Sequence, residues 1–376
     1  AAADARTGTL LAALRDDLGP SWLAPALCLE DTAERYVRPA LRQTYLDLVR
    51  GSALDFLRSN GFRSDELIAM YAATDGMPGS ALAPDEPGTG HNLLVHSMCR
   101  LPGASGTWMA VDGGMGTVSA ALADTVVAAG GKIVTNRAVA AVTTSGNRVD
   151  GVAFSDGGTA PATAVIAAVD PHRLASLAPL PELAARLSAW RALPGMTFKL
   201  NLALDAPPNF GVALPGPGTT VHLLEAVDGS YVAGLLAAYA AARAGELPTA
   251  LPIEVYVSAG LATGVFVQPV PNQITGGWAE RRDDVTEAVL ARVAAAAPGL
   301  KVRDQLALAP PDIESRFGIT SGHIFHVDNS VATIDRVPCR TELAGLFAGA
   351  AGAHPAGSVI GAAGWIAAGE VLADSA

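Results

Sequence analysis

Charged residues are scarce in this chain of 376 residues, because Asp, Glu, Lys and Arg together make up only 16% of it. The net charge is −11 and no basic run occurs, which argues against nucleic acid and anionic lipid surfaces as partners. Apolar residues make up 50% of the chain. This composition argues against disorder and predicts a compact globular protein with a large core.

Cysteine is also rare, and its spacing limits the metal chemistry. Cys28, Cys99 and Cys339 lie far apart and form no C-x-x-C pair, so neither a metal site nor a disulfide framework is indicated. Sparse thiols fit a reducing compartment, and we expect the cytoplasm or an organellar matrix. Every stretch of about eighteen residues contains proline, a cluster of glycines or a charged residue, so no transmembrane segment is predicted. The N-terminus lacks the pattern of a signal peptide.

Hydrophobic periodicity predicts alternating helical and sheet regions. Residues 8–75 follow a helical pattern, and a connection rich in Gly and Pro, interrupted by a short helix near 92–98, spans 76–110. Strands are expected at 132–135, in a meander over 138–154, and at 163–168, 196–204, 253–258 and 265–270. Further helices are expected at 113–129, 172–190, 235–243 and 282–297.

The closing segment is the most informative part of the sequence. A short apolar strand at 346–348 enters a loop of Gly, Ala and Pro, and a helix is expected to start near Ser358. Small residues let a backbone approach a flat ligand closely, and the N–H groups of a helix N-terminus attract an electron-rich group. The alternative is an alanine-rich core helix with a Gly-rich lead-in.

Four motifs in a fixed order carry a family resemblance. They are Asp112-Gly-Gly-Met-Gly, Val152-x-x-Ser-Asp-Gly, Gly322-His-Ile-Phe-His and Gly352-Ala-His-Pro. Together they resemble the phytoene dehydrogenase-related flavoproteins of the phytoene desaturase and amine oxidase superfamily. The resemblance covers about residues 40–372 and implies FAD as the cofactor.

The resemblance also implies an α/β fold. An incomplete FAD/NAD(P)-binding Rossmann-like domain of the glutathione reductase type is interleaved with an α+β substrate domain that contains a mixed sheet. Residues 111–185 and 340–376 belong to the first domain, whereas 1–110 and 186–339 belong to the second. That family opens with a strand, a G-x-G-x-x-G turn and a helix that seat the FAD pyrophosphate. We find no such opening here, and expect a truncated chain, a missing segment supplied by another chain, or a gene remnant.

The resemblance assigns the site residues. The residues expected to contact the cofactor are Val139, whose backbone reaches the adenine, and Gly352, His354, Pro355, Gly357, Ser358, Val359, Ile360 and Gly361 at the flavin. Lys199 is expected to act beside flavin N5, as a strand lysine does in related oxidases; the alternative is a lysine that faces solvent. Alternation within Ser321-Gly-His-Ile-Phe-His places His323 and His326 on opposite faces, and His326 is the second catalytic candidate. A structural histidine is the alternative.

The function implied is FAD-dependent oxidation, desaturation or isomerisation of a hydrophobic small molecule. The possible partners are this substrate and a missing N-terminal segment or second chain; neither nucleic acid nor a membrane span is expected. The alternative function is that of a flavin-less homologue that binds an apolar ligand or a partner protein. An absorption spectrum of the purified protein separates these two hypotheses.

Overall fold

The structure is a computed structural model, and it describes most of the chain. The described residues are 2–76, 80–98, 100–101, 104–105, 111–190, 193–214, 216, 218–258, 261–332, 335–356 and 360–375.

The N-terminal region is helical, as its periodicity predicts. Helices α1 to α6 are Ala2–Leu18, Leu29–Tyr36, Arg42–Arg50, Ala53–Ser59, Asp65–Tyr71 and Gly90–Ser97. Two of them start at serine caps: the Ser52 hydroxyl accepts a hydrogen bond from the Asp55 N–H at 3.0 Å, and Ser64 caps α5 in the same way. Their apolar faces meet in one core around Leu14, Leu48 and Leu54, which are fully buried. Strands β1 and β2, Arg100–Leu101 and Ala104–Ser105, form a two-residue ladder after α6.

The second region has mixed α/β character. In chain order its elements are α7 (Gly116–Ala128), β3 (Val139–Ser145), β4 (Arg148–Phe154), β5 (Thr159–Pro161), β6 (Val165–Ala167), α8 (Pro171–Leu177) and α9 (Pro181–Ala189). Strands β3, β4 and β5 form the predicted antiparallel meander. The N–H of Arg173 donates to the carboxylate of Asp170 at the start of α8. Asp170 thereby caps the helix that follows the returning strand.

A five-stranded sheet forms the third region. It contains β7 (Phe198–Leu204), β8 (Thr219–Leu223), β9 (Ile253–Val257), β10 (Ala262–Val267) and β11 (Val302–Leu308), in the order β11-β7-β10-β9-β8. The helices of this region are α10 (Tyr231–Arg243), α11 (Trp278–Ala296) and α12 (Pro310–Phe317). All four strand pairings are antiparallel, where the sequence predicts a mixed sheet.

The alternation in β7 decides how this sheet is covered. Phe198, Leu200 and the other even-numbered residues of β7 are buried, whereas Lys199 and the other odd-numbered ones are half-buried. Apolar residues of α11 at a spacing of four, Val285, Val289 and Val293, are fully buried in the core that they share with the even-numbered residues. The sheet therefore has one closed apolar face and one partly open, more polar face.

The last elements return to the second region. Strand β12 (Leu346–Ala348) pairs in parallel with β6, so that Phe347 lies opposite Ile166, and α13 (Ala362–Ser375) follows. The two segments, separated by more than 150 residues of sequence, share a core that contains Val142, Leu174 and Leu346. This pairing is the topological feature that joins the meander to the C-terminal helix.

Several local expectations are wrong. Residues 132–135 form no strand. Residues 320–322 form a short 3-10 helix that turns follow, with Ser321 and His326 at positive φ, so side-chain alternation does not apply there. Helix α13 begins at Ala362 rather than near Ser358. Strands β8 and β11 are missed by the sequence patterns, because β8 is half-buried along its whole length and β11 is mostly exposed.

Helix α7 differs from every other long helix in its surroundings. None of its side chains is buried, and Leu122, Val126 and Val127 are all more than 40% exposed. The segment that follows exposes Ile133 and Val134 to a similar degree. Among the residues that the structure describes, none lies in a helix both long and apolar enough to span a bilayer.

Candidate functional site

A buried arginine supports the C-terminal loop between β12 and α13. The Arg336 side chain is 1% exposed, and it donates to the carbonyl of Ala351 at 3.0 Å. It also donates to the carbonyl of Val327 and to the Asn329 side chain. Burial lowers the pKa of Arg336 to about 10, with Asp328 opposing the shift, so the group stays charged at neutral pH.

Asp328 organises the polar network around this arginine. Its carboxylate accepts from the N–H groups of Ala81 and Ser330 at 2.7 and 2.8 Å, and it lies 3.4 Å from the His323 ring. Burial acts to raise the pKa of Asp328, but the hydrogen bonds and charge of His323 and the two N–H groups outweigh it and lower the pKa. His323 is therefore a buried structural partner of a carboxylate.

His326 and Gly352, two of the predicted site residues, are brought together. A Cβ atom at Gly352 would lie 2.4 Å from the Pro171 ring and 3.2 Å from Cβ of His326, so only glycine fits there. The His326 ring is partly buried, and its Nδ1 is buried without a hydrogen-bond partner among the described residues. Burial lowers the pKa of His326, and the nearby Asp170 acts against that shift.

The residues after Gly352 follow two different courses. His354 and Pro355 are buried, and the His354 Nε2 lies 3.1 Å from the carbonyl oxygen of Ala24, in the helical region. Ile360 is 42% exposed, and the carbonyl of Gly361 accepts from the Trp365 N–H at the start of α13. Gly357, Ser358 and Val359 lie outside the described residues. Their contacts with a flavin stay predictions.

Val139 and Lys199 lie on other elements. Val139 starts β3 and is half-buried opposite Phe154, where its backbone contact with an adenine stays a prediction. Lys199 is partly buried in β7, and its Nζ lies 3.2 Å from the centre of the Phe266 ring. Burial lowers the pKa of Lys199 to about 7, and Glu254 acts against the shift. A shared cleft of Lys199, His354 and Val359 stays a prediction as well.

Sequence reasoning missed the residues that surround these candidates. Asp170 accepts from the N–H and hydroxyl of Thr320, which ties the turn before His326 to the start of α8. The sheet register alone places Phe266 opposite Lys199 and Glu254 opposite Phe266. The aspartate before Pro171 carries a visible capping pattern, whereas no local pattern reveals a cross-strand register.

The flavin end of FAD fits the residues present. Beside a loop that Arg336 supports at Ala351, a buried ring nitrogen of His326 has no hydrogen-bond partner among the residues that the structure describes. Such an orphaned polar atom is what a bound polar ligand would satisfy. Among the described residues, no cluster of His, Cys, Asp and Glu suited to a metal ion is found.

Comparisons with known proteins identify the family of the chain. The family model of the flavin containing amine oxidoreductases matches residues 46–261, more than half of the chain. A mouse protein, pyridine nucleotide-disulfide oxidoreductase domain-containing protein 2, is 32% identical over 350 residues, which cover 83% of this chain and 59% of the mouse protein. An uncharacterised protein of Mycobacterium bovis is 30% identical over 302 residues, 71% of this chain and 53% of its own length. The chain thus spans little more than half the length of these relatives.

A solved structure shows the same fold. An oxidoreductase from Methanosarcina mazei superposes on 91% of this chain and 75% of its own, with a TM-score of 0.57 and 16% identity. The expected α/β class is confirmed by this structure, and the family resemblance and its cofactor FAD are confirmed by the family model. The chain belongs to the family of flavin-containing amine oxidoreductases, which are FAD-dependent enzymes.

Proposed function

We propose that this chain forms the substrate-facing and flavin-facing part of an oxidoreductase that acts on a hydrophobic small molecule. The reaction class is removal of a hydride or rearrangement of a double bond. The observation that carries the proposal is the partly buried amine of Lys199, on the more open face of a sheet whose other face is closed. Titratable groups with displaced pKa values are characteristic of reaction sites.

Each residue has a role in this proposal. Bound FAD supplies the hydride acceptor. Gly352 lets the loop pack closely against Pro171 and His326, and His354, Pro355, Ile360 and Gly361 line the edge of the flavin. Lys199 holds a proton at Nζ beside the reacting atoms, and His326 offers Nδ1 as a second proton-accepting or hydrogen-bonding atom. Apolar residues around them exclude water, which strengthens these polar contacts.

Replacement of Lys199 by Met tests the catalytic role, because it keeps the length of the side chain and removes its charge. In the complete FAD-loaded protein, reoxidation by oxygen after chemical reduction should slow by one to two orders of magnitude, about 1.4 kcal/mol per tenfold. Reduction of the flavin by a hydrophobic substrate found by screening should slow similarly. FAD affinity should barely change, since the amine meets the reacting edge and not the phosphates.

The chain supplies a matched control for this experiment. Lys301 is exposed on the same region, and the Lys301→Met variant should leave both half-reactions unchanged. Unchanged rates in Lys199→Met as well would make Lys199 an ordinary strand lysine. A complete protein that shows no flavin absorption would instead favour a flavin-less ligand-binding or protein-binding module.

We also propose that α7 and residues 131–135 bind a further segment, either of the same polypeptide or of a second chain. Their apolar residues have no cover within the described structure, and exposed apolar surface of this kind marks an interaction site. The relatives are longer than this chain, so they contain sequence that could fill the role.

We also propose that the protein works in a reducing compartment, the cytoplasm or an organellar matrix. The free thiols of Cys28 and Cys339 accord with this proposal.

A further inference from the structure

The register of the five-stranded sheet places three ionisable residues in one row. Lys199 of β7 lies opposite Phe266 of β10, which lies opposite Glu254 of β9, which in turn lies opposite His222 of β8. On the other side of Lys199 the row ends with the apolar Leu308 of β11. Residues directly opposite one another share a face, so the whole row lies on the partly open side of the sheet.

The Lys199 side chain lies along this row. Its Nζ is 3.2 Å from the centre of the Phe266 ring, a contact that favours the charged amine over the ring face. Its position over β10 depends on Gly264, because a Cβ atom there would lie only 2.6 Å from Nζ. Because Gly264 has no side chain, the Lys199 amine can lie beside its backbone. The amine is thereby directed across β10 towards β9.

Glu254 is the acidic residue of this row on the strand towards which the amine points. Its charge opposes the effect of burial on the pKa of Lys199. The other ionisable residues on this face of the neighbouring strands are Tyr256 of β9, His222 of β8 and Asp304 of β11, of which Asp304 lies two rows away, opposite Ala203. The Thr74 hydroxyl, from the turn after α5, lies 3.3 Å from the His222 ring.

We propose that Gly264, Phe266 and Glu254 form a positioning site that holds the Lys199 amine over strand β10 and favours its charged form. The proposal rests on the proposed function, in which that amine acts at the flavin. The three residues touch neither substrate nor cofactor in this role. They determine where the Lys199 proton is held and the pH at which it is lost.

The composition of the chain makes this proposal directly measurable. Lys132, Lys199 and Lys301 are the three lysines of the sequence, and both Lys132 and Lys301 are exposed. Labelling lysine with 13C at Cε therefore gives three side-chain signals, two of which serve as internal references. In the 376-residue chain, we expect the Lys199 signal to titrate with a pKa of about 7.

Two substitutions should move the Lys199 titration in opposite directions. Glu254→Gln removes the favourable charge and should lower the pKa of Lys199 by at least about half a unit. Gly264→Ala should displace the amine towards solvent and raise its pKa by about one unit or more, because burial no longer acts on it. Glu287→Gln, an exposed residue of α11 on the opposite side of the sheet, changes the net charge equally and should have no effect.

Equal Lys199 pKa values in the wild type, Glu254→Gln and Glu287→Gln would overturn the proposal. If Gly264→Ala does not fold, the Glu254→Gln comparison still decides it. In the FAD-loaded complete protein, the pH dependence of flavin reoxidation in Glu254→Gln should move together with the titration. A shifted titration with an unmoved rate profile would leave the positioning site intact and overturn the role of Lys199 at the flavin.

Discussion

The five-stranded sheet and the α7 region are both rich in apolar residues, yet they reach opposite ends of the burial scale. Leu200 and Leu202 in β7 are almost completely inaccessible, because α11 covers that face of the sheet. Leu122 in α7 is 63% exposed. The difference lies in the presence of a partner: hydrophobic stabilisation scales with the apolar area removed from water, whatever the element that supplies it.

The molecule thus has regions whose apolar side chains are buried in a closed core and one region whose apolar side chains are exposed. The sheet, its helices and the N-terminal helical region have closed cores. The α7 region has apolar side chains of the right spacing but nothing described that packs on them. We therefore expect changes in the two regions to have effects of different size, and we expect the difference to shrink when α7 is covered.

Truncation of one leucine in each region gives the largest expected effect. Leu200→Ala should lower the free energy of unfolding by about 2–5 kcal/mol, because it leaves a cavity in a packed core. The same change at Leu122 should cost less than about 0.5 kcal/mol in this chain. Urea denaturation followed by tryptophan fluorescence measures both. Similar costs at the two positions would show that α7 is already covered, for example by a second copy.

FAD binding tests whether the α7 region lacks the segment that binds the FAD pyrophosphate. The chain alone should retain FAD weakly or not at all, because the sequence has no Gly-rich turn to bind the pyrophosphate. Co-expression with the strand, G-x-G-x-x-G turn and helix of a longer relative should tighten binding at least about a hundredfold, roughly 2.7 kcal/mol. Equilibrium dialysis with an absorption spectrum measures both states.

The location of that interface is tested by one pair of variants. Val126→Asp introduces a charge on α7 and should abolish the gain in FAD affinity, whereas Val212→Asp, also exposed but far along the chain, should not. Stoichiometric FAD retained by the chain alone after dialysis would contradict the prediction. A gain that survives Val126→Asp would place the segment elsewhere.

Histidines in covered and uncovered positions should differ in their effect on acid stability. Burial lowers the pKa of His91 to about 4, whereas in an unfolded chain it is about 6.5. Above pH 6.5 the imidazole is neutral in both states; between pH 6.5 and 4 the unfolded state binds a proton that the folded state does not. The free energy of unfolding should therefore fall by about 2 kcal/mol from pH 7 to pH 5 on account of His91.

Replacement by glutamine isolates this contribution. His91→Gln keeps a donor for the Asn329 carbonyl, which lies 3.2 Å from the ring, and should flatten the pH dependence over this range. His172 is exposed at the start of α8, and His172→Gln should leave the dependence as it is in the wild type. Parallel pH profiles for the wild type and His91→Gln would show that His91 titrates normally.

The sequence predicted elements best where apolar periodicity coincided with burial. The alternation in 196–204 correctly separated Phe198 and Leu200 from Lys199, and the pattern at 346–348 correctly indicated a buried strand. It predicted a strand at 132–135 that is absent, since a strand needs a neighbour to satisfy its backbone groups and none pairs with it here. It missed β8 and β11, in which burial does not alternate clearly.

For the candidate site, too, the sequence predicted some features correctly and others wrongly. The motif order identified the family and its cofactor. At Gly352 the structure shows close packing against Pro171 and His326, and the contact of this residue with the cofactor stays a prediction. The alternation expected for His323 and His326 failed, because positive φ angles at Ser321 and His326 turn the chain there. The predicted domain boundaries and flavin contacts stay predictions.

The sequence by itself determined the apolar spacing of the helices, the alternation of the central strand and the family motifs, because each depends on residues close together in the chain. Only the tertiary structure decided that β6 pairs with β12, that Glu254 faces Phe266 and Lys199, and that Arg336 supports the loop at Ala351. Those contacts join residues that are distant in sequence. They arise from strand register and from the burial of charge, and local sequence encodes neither.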